Sequence, residues 1–182
     1  VKSCTVIDPG HIGVQTTFGS LNETPIPAGL SFVNPFSSVT EFDCRQKTYG
    51  ENDVHVPSQD QLATMRDISI QYRVVSAMAP KIYRETGSNP ESVVDVHMKP
   101  KLHSELREIG KTVKRAEDYY TEEGQQRVQR EILSAMQTFM ADKWLEIQSV
   151  LIKDIKLPPV IVSAVNAKKE REQMAVRQQA EL

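Results

Sequence analysis

Leu62-Ala63-Thr64-Met65-Arg66-Asp67-Ile68-Ser69-Ile70-Gln71-Tyr72-Arg73-Val74-Val75 is the stretch on which the fold turns. Ile68, Ile70, Tyr72 and Val74 fall on one side; Asp67, Ser69, Gln71 and Arg73 fall on the other. A period of two is the pleat of an antiparallel strand with one buried and one wet face. The same period runs through residues 11–18, where Ile12, Val14, Thr16 and Phe18 alternate with His11, Gly13, Gln15 and Thr17. In residues 39–49, Phe42 and Cys44 oppose Glu41, Asp43, Arg45 and Lys47, and the segment reads as one strand. Asp8-Pro9-Gly10, residues 25–29, Asn34-Pro35, residues 50–53 and residues 57–60 carry the turn formers between strands.

After Ser76 the period becomes helical. Residues 77–86 make a short helix closed by Gly87. Residues 91–113 follow Pro90, and Leu102, Leu106, Ile109 and Val113 return at i, i+4, i+7 and i+11, with Pro100 as a candidate kink. Thr121 suits an N-cap, with Glu122 and Glu123 favourable to the helix dipole. Val128, Ile132, Ala135, Met136, Phe139 and Met140 then form the buried stripe of a helix reaching about Trp144, with Phe139 expected to pack on the sheet. Residues 147–157 read as a strand returning to it.

Pro158-Pro159 opens a last helix, rich in Ala, Glu, Lys, Arg and Gln, with neither Gly cap nor Pro stop before Leu182. Its Val162, Val165, Ala175 and Val176 make too thin an apolar stripe to fold alone, so it is expected to seek a partner helix. The chain starts without Met, directly on a strand-like segment, and reads as the middle of a longer protein. The class is α+β, because strands cluster first and helices later. The expected divisions are a β-rich lobe over 1–76, an α/β lobe over 77–157 and a partner-seeking helix from 158 to 182.

The 182 residues carry 22 basic and 24 acidic side chains without a block of like charge, which argues against nucleic acid as a partner. No stretch approaches the roughly 20 apolar residues needed to span a bilayer. The piece itself is expected to be soluble, with an anchor upstream of Val1 left open. Its 2 cysteines make no disulfide framework. Cys44 reads as a small buried hydrophobe. For Cys4, after Val1-Lys2-Ser3, two readings stay open: a lipid-bearing cysteine and an ordinary strand-edge residue.

A search for chemistry returns little. His97 and His103 lie six apart on one helix, about 240° round its axis, and cannot share a metal. No metal-ligand spacing, nucleophile elbow or phosphate loop occurs, so no catalytic, metal or cofactor site is expected. Ser58 and Asp60 read as a turn, and Tyr119, Tyr120 and Trp144 as packing residues. Asn22-Glu23-Thr24 matches a glycosylation sequon, a pattern common by chance. Residues 24–36 are different: prolines break them into loops, yet Ile26, Leu30, Phe32, Val33 and Phe36 are large and apolar. They either tuck over the β core or offer an apolar edge to lipid or a neighbouring subunit, with Leu30, Phe32 and Phe36 the candidate membrane contacts.

Four motifs in order resemble the stomatin/prohibitin/flotillin family, also called SPFH or Band 7. They are Val6-Ile7-Asp8-Pro9-Gly10-His11-Ile12-Gly13-Val14 with Phe18-Gly19; Gly29-Leu30-Ser31-Phe32-Val33-Asn34-Pro35-Phe36; Asp60 with the strand from Asp67 to Val74; and Asp154-Ile155-Lys156-Leu157-Pro158 with Ala164, Lys168 and Glu172-Gln173. The length looks nearer to prohibitin or stomatin members than to larger ones. The resemblance implies a non-enzymatic membrane scaffold, with copies assembled into rings or cages beside SPFH paralogues. It also implies organisation of membrane microdomains, or control of a membrane AAA+ protease of the FtsH type, at a bacterial or mitochondrial inner membrane. In this reading the terminal helix begins a coiled coil, with Val162, Val165, Lys168, Glu172, Ala175 and Val176 on the oligomerisation helix. Two other classes stay open: a membrane protease component or hydrolase, and a plain soluble binding module.

Overall fold

The computed structural model describes residues 4–60, 64–87, 89, 91–156 and 159–180, with side chains except at 117, 120, 154–156, 159–161, 164, 165, 168, 176 and 178–180. Eight strands and four α-helices follow in the order β1 (Cys4–Ile7), β2 (His11–Thr17), β3 (Ser20–Leu21), β4 (Gly29–Phe32), β5 (Ser37–Asp43), β6 (Lys47–Val56), β7 (Thr64–Val74), α1 (Ala79–Thr86), α2 (Lys99–Thr112), α3 (Glu122–Ala141), β8 (Leu145–Lys156) and α4 (Pro159–Ala180).

The alternating strand is the centre of the larger sheet. β7 lies between β6 and β8, antiparallel to both. Ile68, Ile70, Tyr72 and Val74 face inward as the alternation requires, while Ser69 on the other face is also buried. Leu102, Leu106 and Ile109 from α2 and Val128, Ile132, Met136 and Met140 from α3 close over that inner face. Burying each such side chain contributes about 1.5–3 kcal/mol. The division expected after Ser76 would fall within this sheet, since β6 and β7 precede it and β8 follows it.

A second sheet, in the order β3-β2-β5, joins the same core through Val14 and Phe42, and the Phe42 ring lies 6.2 Å from Tyr83 of α1. β1 and β4 form a separate two-stranded ribbon. The ribbon reaches β2 at Gly13, which bridges Ile26 and where an added Cβ would lie 3.0 Å from both Ile7 and Val39 side chains. β2 is therefore buried on both faces at this point, and a larger side chain would have to push its neighbours back.

Several expectations need correction. Residues 39–49 are two strands in different sheets. Asp43 accepts hydrogen bonds from the Arg45 backbone N–H at 3.0 Å and from its guanidinium at 2.9 and 3.0 Å, which bends the chain between β5 and β6. That pairing holds the Asp43 carboxyl well below the usual carboxylate range. Cys44, next in line, is only half-buried. Residues 50–53 are no turn: they belong to β6 as a bulge, with Asp53 at φ 55°. The loop 24–36 contains β4. The helix expected over 91–113 runs over 92–112, irregular where the proline was expected to disturb it, because Pro100 has no N–H to continue the ladder. A π turn, Val94–Met98, precedes it, in which the Lys99 N–H bonds to the Val94 carbonyl. Phe139 is half-buried: it packs against the margin of the core, lines a groove with Ala135, and carries the Lys101 ammonium 4.9 Å from its ring.

The α3 start agrees with its sequence: the Thr121 hydroxyl accepts the Gly124 N–H at 3.0 Å. Within α2, Gly110 is a poor helix former kept by a close approach. A Cβ there would fall on the Pro57 carbonyl oxygen and 2.9 Å from its Cγ. Gly110→Ala would gain about 1 kcal/mol of helix propensity but is expected to lose a net 1–3 kcal/mol, roughly, through overpacking. Urea denaturation measures the difference, and a variant more stable than its parent would show that the 57–60 loop gives way freely.

Candidate functional site

The chemistry-bearing side chains are scattered. The Ser58 hydroxyl bonds to Asp60, whose other oxygen accepts the Ala116 N–H at 3.0 Å. This carboxylate ties a loop to the single helical turn Ala116–Tyr120. His97 sits 3.6 Å from Glu85, and His103 sits 2.8 Å from Glu51, so the two histidines serve different pairs. Among the described residues no group of three or more His, Cys, Asp or Glu is arranged to hold a metal ion. Burial pushes the Cys44 thiol pKa up, which disfavours the thiolate a nucleophile needs.

What the structure does assemble is an apolar surface at one end of the β lobe. In the β1–β4 ribbon, Cys4 pairs with Phe32 and Val6 with Leu30. Paired residues of an antiparallel ribbon share a face. Ile7, on the opposite face, is buried, whereas Cys4, Val6, Leu30 and Phe32 are all exposed. Polar Thr5 and Ser31 thus face inward and apolar residues outward, an inversion of ordinary patterning that a free surface does not favour.

The other half of the surface comes from the adjoining sheet. β4 ends at Phe32, and after four intervening residues β5 begins at Ser37, opposite Thr17 at the end of β2. The Asn34 side chain accepts the Phe36 N–H at 3.0 Å and its carbonyl accepts the Ser37 N–H at 2.9 Å, fixing this corner. Across the strand ends, Phe18 and Phe36 stack with ring centroids 5.9 Å apart. Topology therefore brings Cys4, Phe32, Phe36 and Phe18 to one end of the lobe. Their exposures decide the reading: Phe32 86%, Phe18 84%, Phe36 68%, Leu30 65% and Val6 63%.

Phe18 was expected to point inward with Ile12 and Val14. It instead opens a two-residue hairpin turn, Phe18-Gly19, in which both residues have positive φ, 48° and 81°. That is the backbone of a type I′ turn. A left-handed conformation costs a side-chain-bearing residue roughly 1–2 kcal/mol, and here it places a ring in solvent. Phe18 and Val6 are the members of this surface that the sequence reading missed. The dipeptide Phe18-Gly19 between two strand-like runs was the available signal.

The other named residues lie elsewhere. On α4, Val162, Glu172 and Ala175 are exposed, and the side chains of Val165, Lys168 and Val176 fall outside the described residues. Among the described residues, no helix is long and apolar enough to cross a membrane.

A family model described as SPFH domain / Band 7 family matches residues 5–182. No curated protein matches the chain.

Proposed function

Because the chain belongs to the SPFH/Band 7 family, we propose that it is a membrane-associated scaffold without catalytic activity of its own, whose copies stand side by side on a lipid surface. The observation that carries this is the bare apolar end of the β lobe, with three phenylalanines each at least two-thirds exposed. Side chains of this type enter the boundary between headgroups and acyl chains, where burial of apolar area supplies the binding energy. Seated there, the lobe stands on the membrane, and α4 meets the α4 of an adjacent copy, or of a paralogue, as a coiled coil. The oligomerisation residues are Val162, Val165, Lys168, Glu172, Ala175 and Val176. Restraint of a membrane AAA+ protease, or organisation of an inner-membrane lipid domain, is the task such a palisade would perform.

The described apolar stripe of α4 is thin, so self-association in dilute solution should be weak and should strengthen when a surface holds copies together. The chain can be attached through an N-terminal histidine tag either to nickel-chelating vesicles or to polar nickel beads at equal density, then cross-linked. Oligomers formed on vesicles but not on beads are expected. Equal cross-linking on both supports would show that lipid contributes nothing, and monomers on both would sink the scaffold reading. Large rings in solution at low micromolar concentration would show that the lobes assemble unaided.

A further inference from the structure

A second site lies far along the sequence from the apolar end, and neither family membership nor the lipid reading assigns it. Lys47 and Tyr49 of β6, Tyr72 of β7, and Glu91, Val94 and Asp95 ahead of α2 line a cleft of about 420 Å³. That is the size of a small-ligand pocket. Tyr72 is only 7% exposed, yet it opens into this cleft, and among the described residues its hydroxyl has no hydrogen-bond partner. The hydroxyl oxygen itself is not sealed from solvent and is open to a ligand in the cleft.

The charges around it are unevenly matched. Asp43 is taken by the Arg45 guanidinium. The Lys47 ammonium is shared loosely, 3.5 Å from Glu91 and 3.8 Å from Asp43. Glu51 accepts the Tyr49 hydroxyl at 2.9 Å and lies 2.8 Å from His103. Asp95 makes no ion pair among the described residues. Burial, then the charges of Glu91, Asp43 and Asp95, raise the Tyr72 pKa, so the hydroxyl stays neutral and can accept a hydrogen bond. The π turn forced ahead of Pro100 carries Val94 and Asp95 into the cleft, and single π turns recur at functional sites.

We propose that this cleft binds a cationic head group, an alkylammonium or guanidinium, with Asp95 and Glu91 as its counter-ions and the Tyr72 hydroxyl oxygen accepting one of its hydrogen bonds. An anion would instead meet Asp95 unscreened, because Lys47 is already divided between two carboxylates. The cation supplies the donor that Tyr72 lacks and the charge that Asp95 lacks.

The test uses the full 182-residue chain with ring-labelled tyrosine, titrated by NMR with agmatine, and with butanol and butyrate as neutral and anionic controls. The expected result is a saturable shift of the Tyr72 and Tyr49 signals by agmatine alone. Asp95→Asn should weaken it by about tenfold or more, the scale of one charge-assisted hydrogen bond. Tyr72→Phe should also weaken it, read from Tyr49. Lys47→Met should tighten it by removing the competing internal cation. Asp95 is exposed, so its variant tests the site even where Tyr72→Phe disturbs the core. Absence of a saturable agmatine shift, an equal response to butanol, or a butyrate response lost in Lys47→Met overturns the proposal. The peptide acetyl-Gly-Arg-Gly-amide, compared with agmatine, separates the sources. Tighter peptide binding assigns the head group to a protein partner's side chain, and equal or weaker binding assigns it to a free small cation.

Discussion

Tyr119→Ala is expected to lower the unfolding free energy by about 3–5 kcal/mol, the range for deleting a buried aromatic ring. Tyr119 is fully buried, and three separate parts of the molecule meet on it. Its hydroxyl donates to the Pro57 carbonyl at 2.8 Å, holding the loop that leaves β6. Its ring lies 4.0 Å from the guanidinium of Arg66, a β7 residue that is itself fully buried. The helical turn that carries it is fastened by the Asp60 carboxylate on the Ala116 N–H and by Gln59 N–H on the Val113 carbonyl at 3.0 Å. Truncation would leave a cavity beneath a buried cation and an unpaired carbonyl beside it. Tyr119→Phe keeps the ring and removes only the hydroxyl, so it should cost about 1 kcal/mol. Urea unfolding of the two variants beside the parent separates the ring from the hydrogen bond. If the alanine variant unfolds at the parent's midpoint, the contact between Arg66 and Tyr119 is not what holds this corner.

The largest functional effect should come from replacing Phe18, Phe32 and Phe36 together with serine. A fully buried phenylalanine contributes about 1.5–3 kcal/mol. The membrane boundary dehydrates such a ring only in part, so three together should supply about 2–4 kcal/mol, and the vesicle partition coefficient should fall by roughly 30- to 1,000-fold. The rings are already in solvent in the folded chain, so the thermal midpoint should hardly move. This pairing of outcomes separates a surface effect from a folding defect. Flotation with liposomes gives the partition coefficient, and differential scanning calorimetry gives the midpoint. A triple variant that partitions within twofold of the parent would reduce the three rings to ordinary exposed residues. Anchoring the chain independently should restore attachment in the variant while leaving the lobe free to tilt.

Phe139 shows how a helical stripe read from sequence blurs at its edge, since it reaches the core only at its margin. The apolar positions of α3 were legible, as were its Thr121 cap and its length. A helical stripe is wider than the line of residues that touches the sheet, and its edge faces the groove beside α2. Met136 and Met140 lie on the contact line and are fully buried, whereas Phe139, one step round the helix, lies at its margin under Lys101. Hydrophobicity marks the stripe; only the position of the neighbouring helix marks its centre. Residues 39–49 failed for a related reason. Period-two alternation continues across the bend, because Asp43 and Arg45 turn the chain with side chains that suit the wet face of a strand equally well.

From sequence alone this protein had its run of strands followed by helices and a returning strand, the inward face of β7, the cap of α3, the helix after the two prolines and the four motifs of its family. These depend on local backbone geometry, whose periods of two and 3.6 residues are written directly into side-chain spacing. Tertiary structure decided which strands pair, which close approaches crowd Gly13 and Gly110, and that Tyr72 opens into a cleft between β6 and the segment ahead of α2. It also decided that Val6, Phe18, Leu30, Phe32 and Phe36 stay outside. The physical reason is that an apolar side chain has the same hydrophobicity whether another layer covers it or not. Covering depends on what the rest of the chain brings alongside, and at this end of the β lobe the described chain brings nothing.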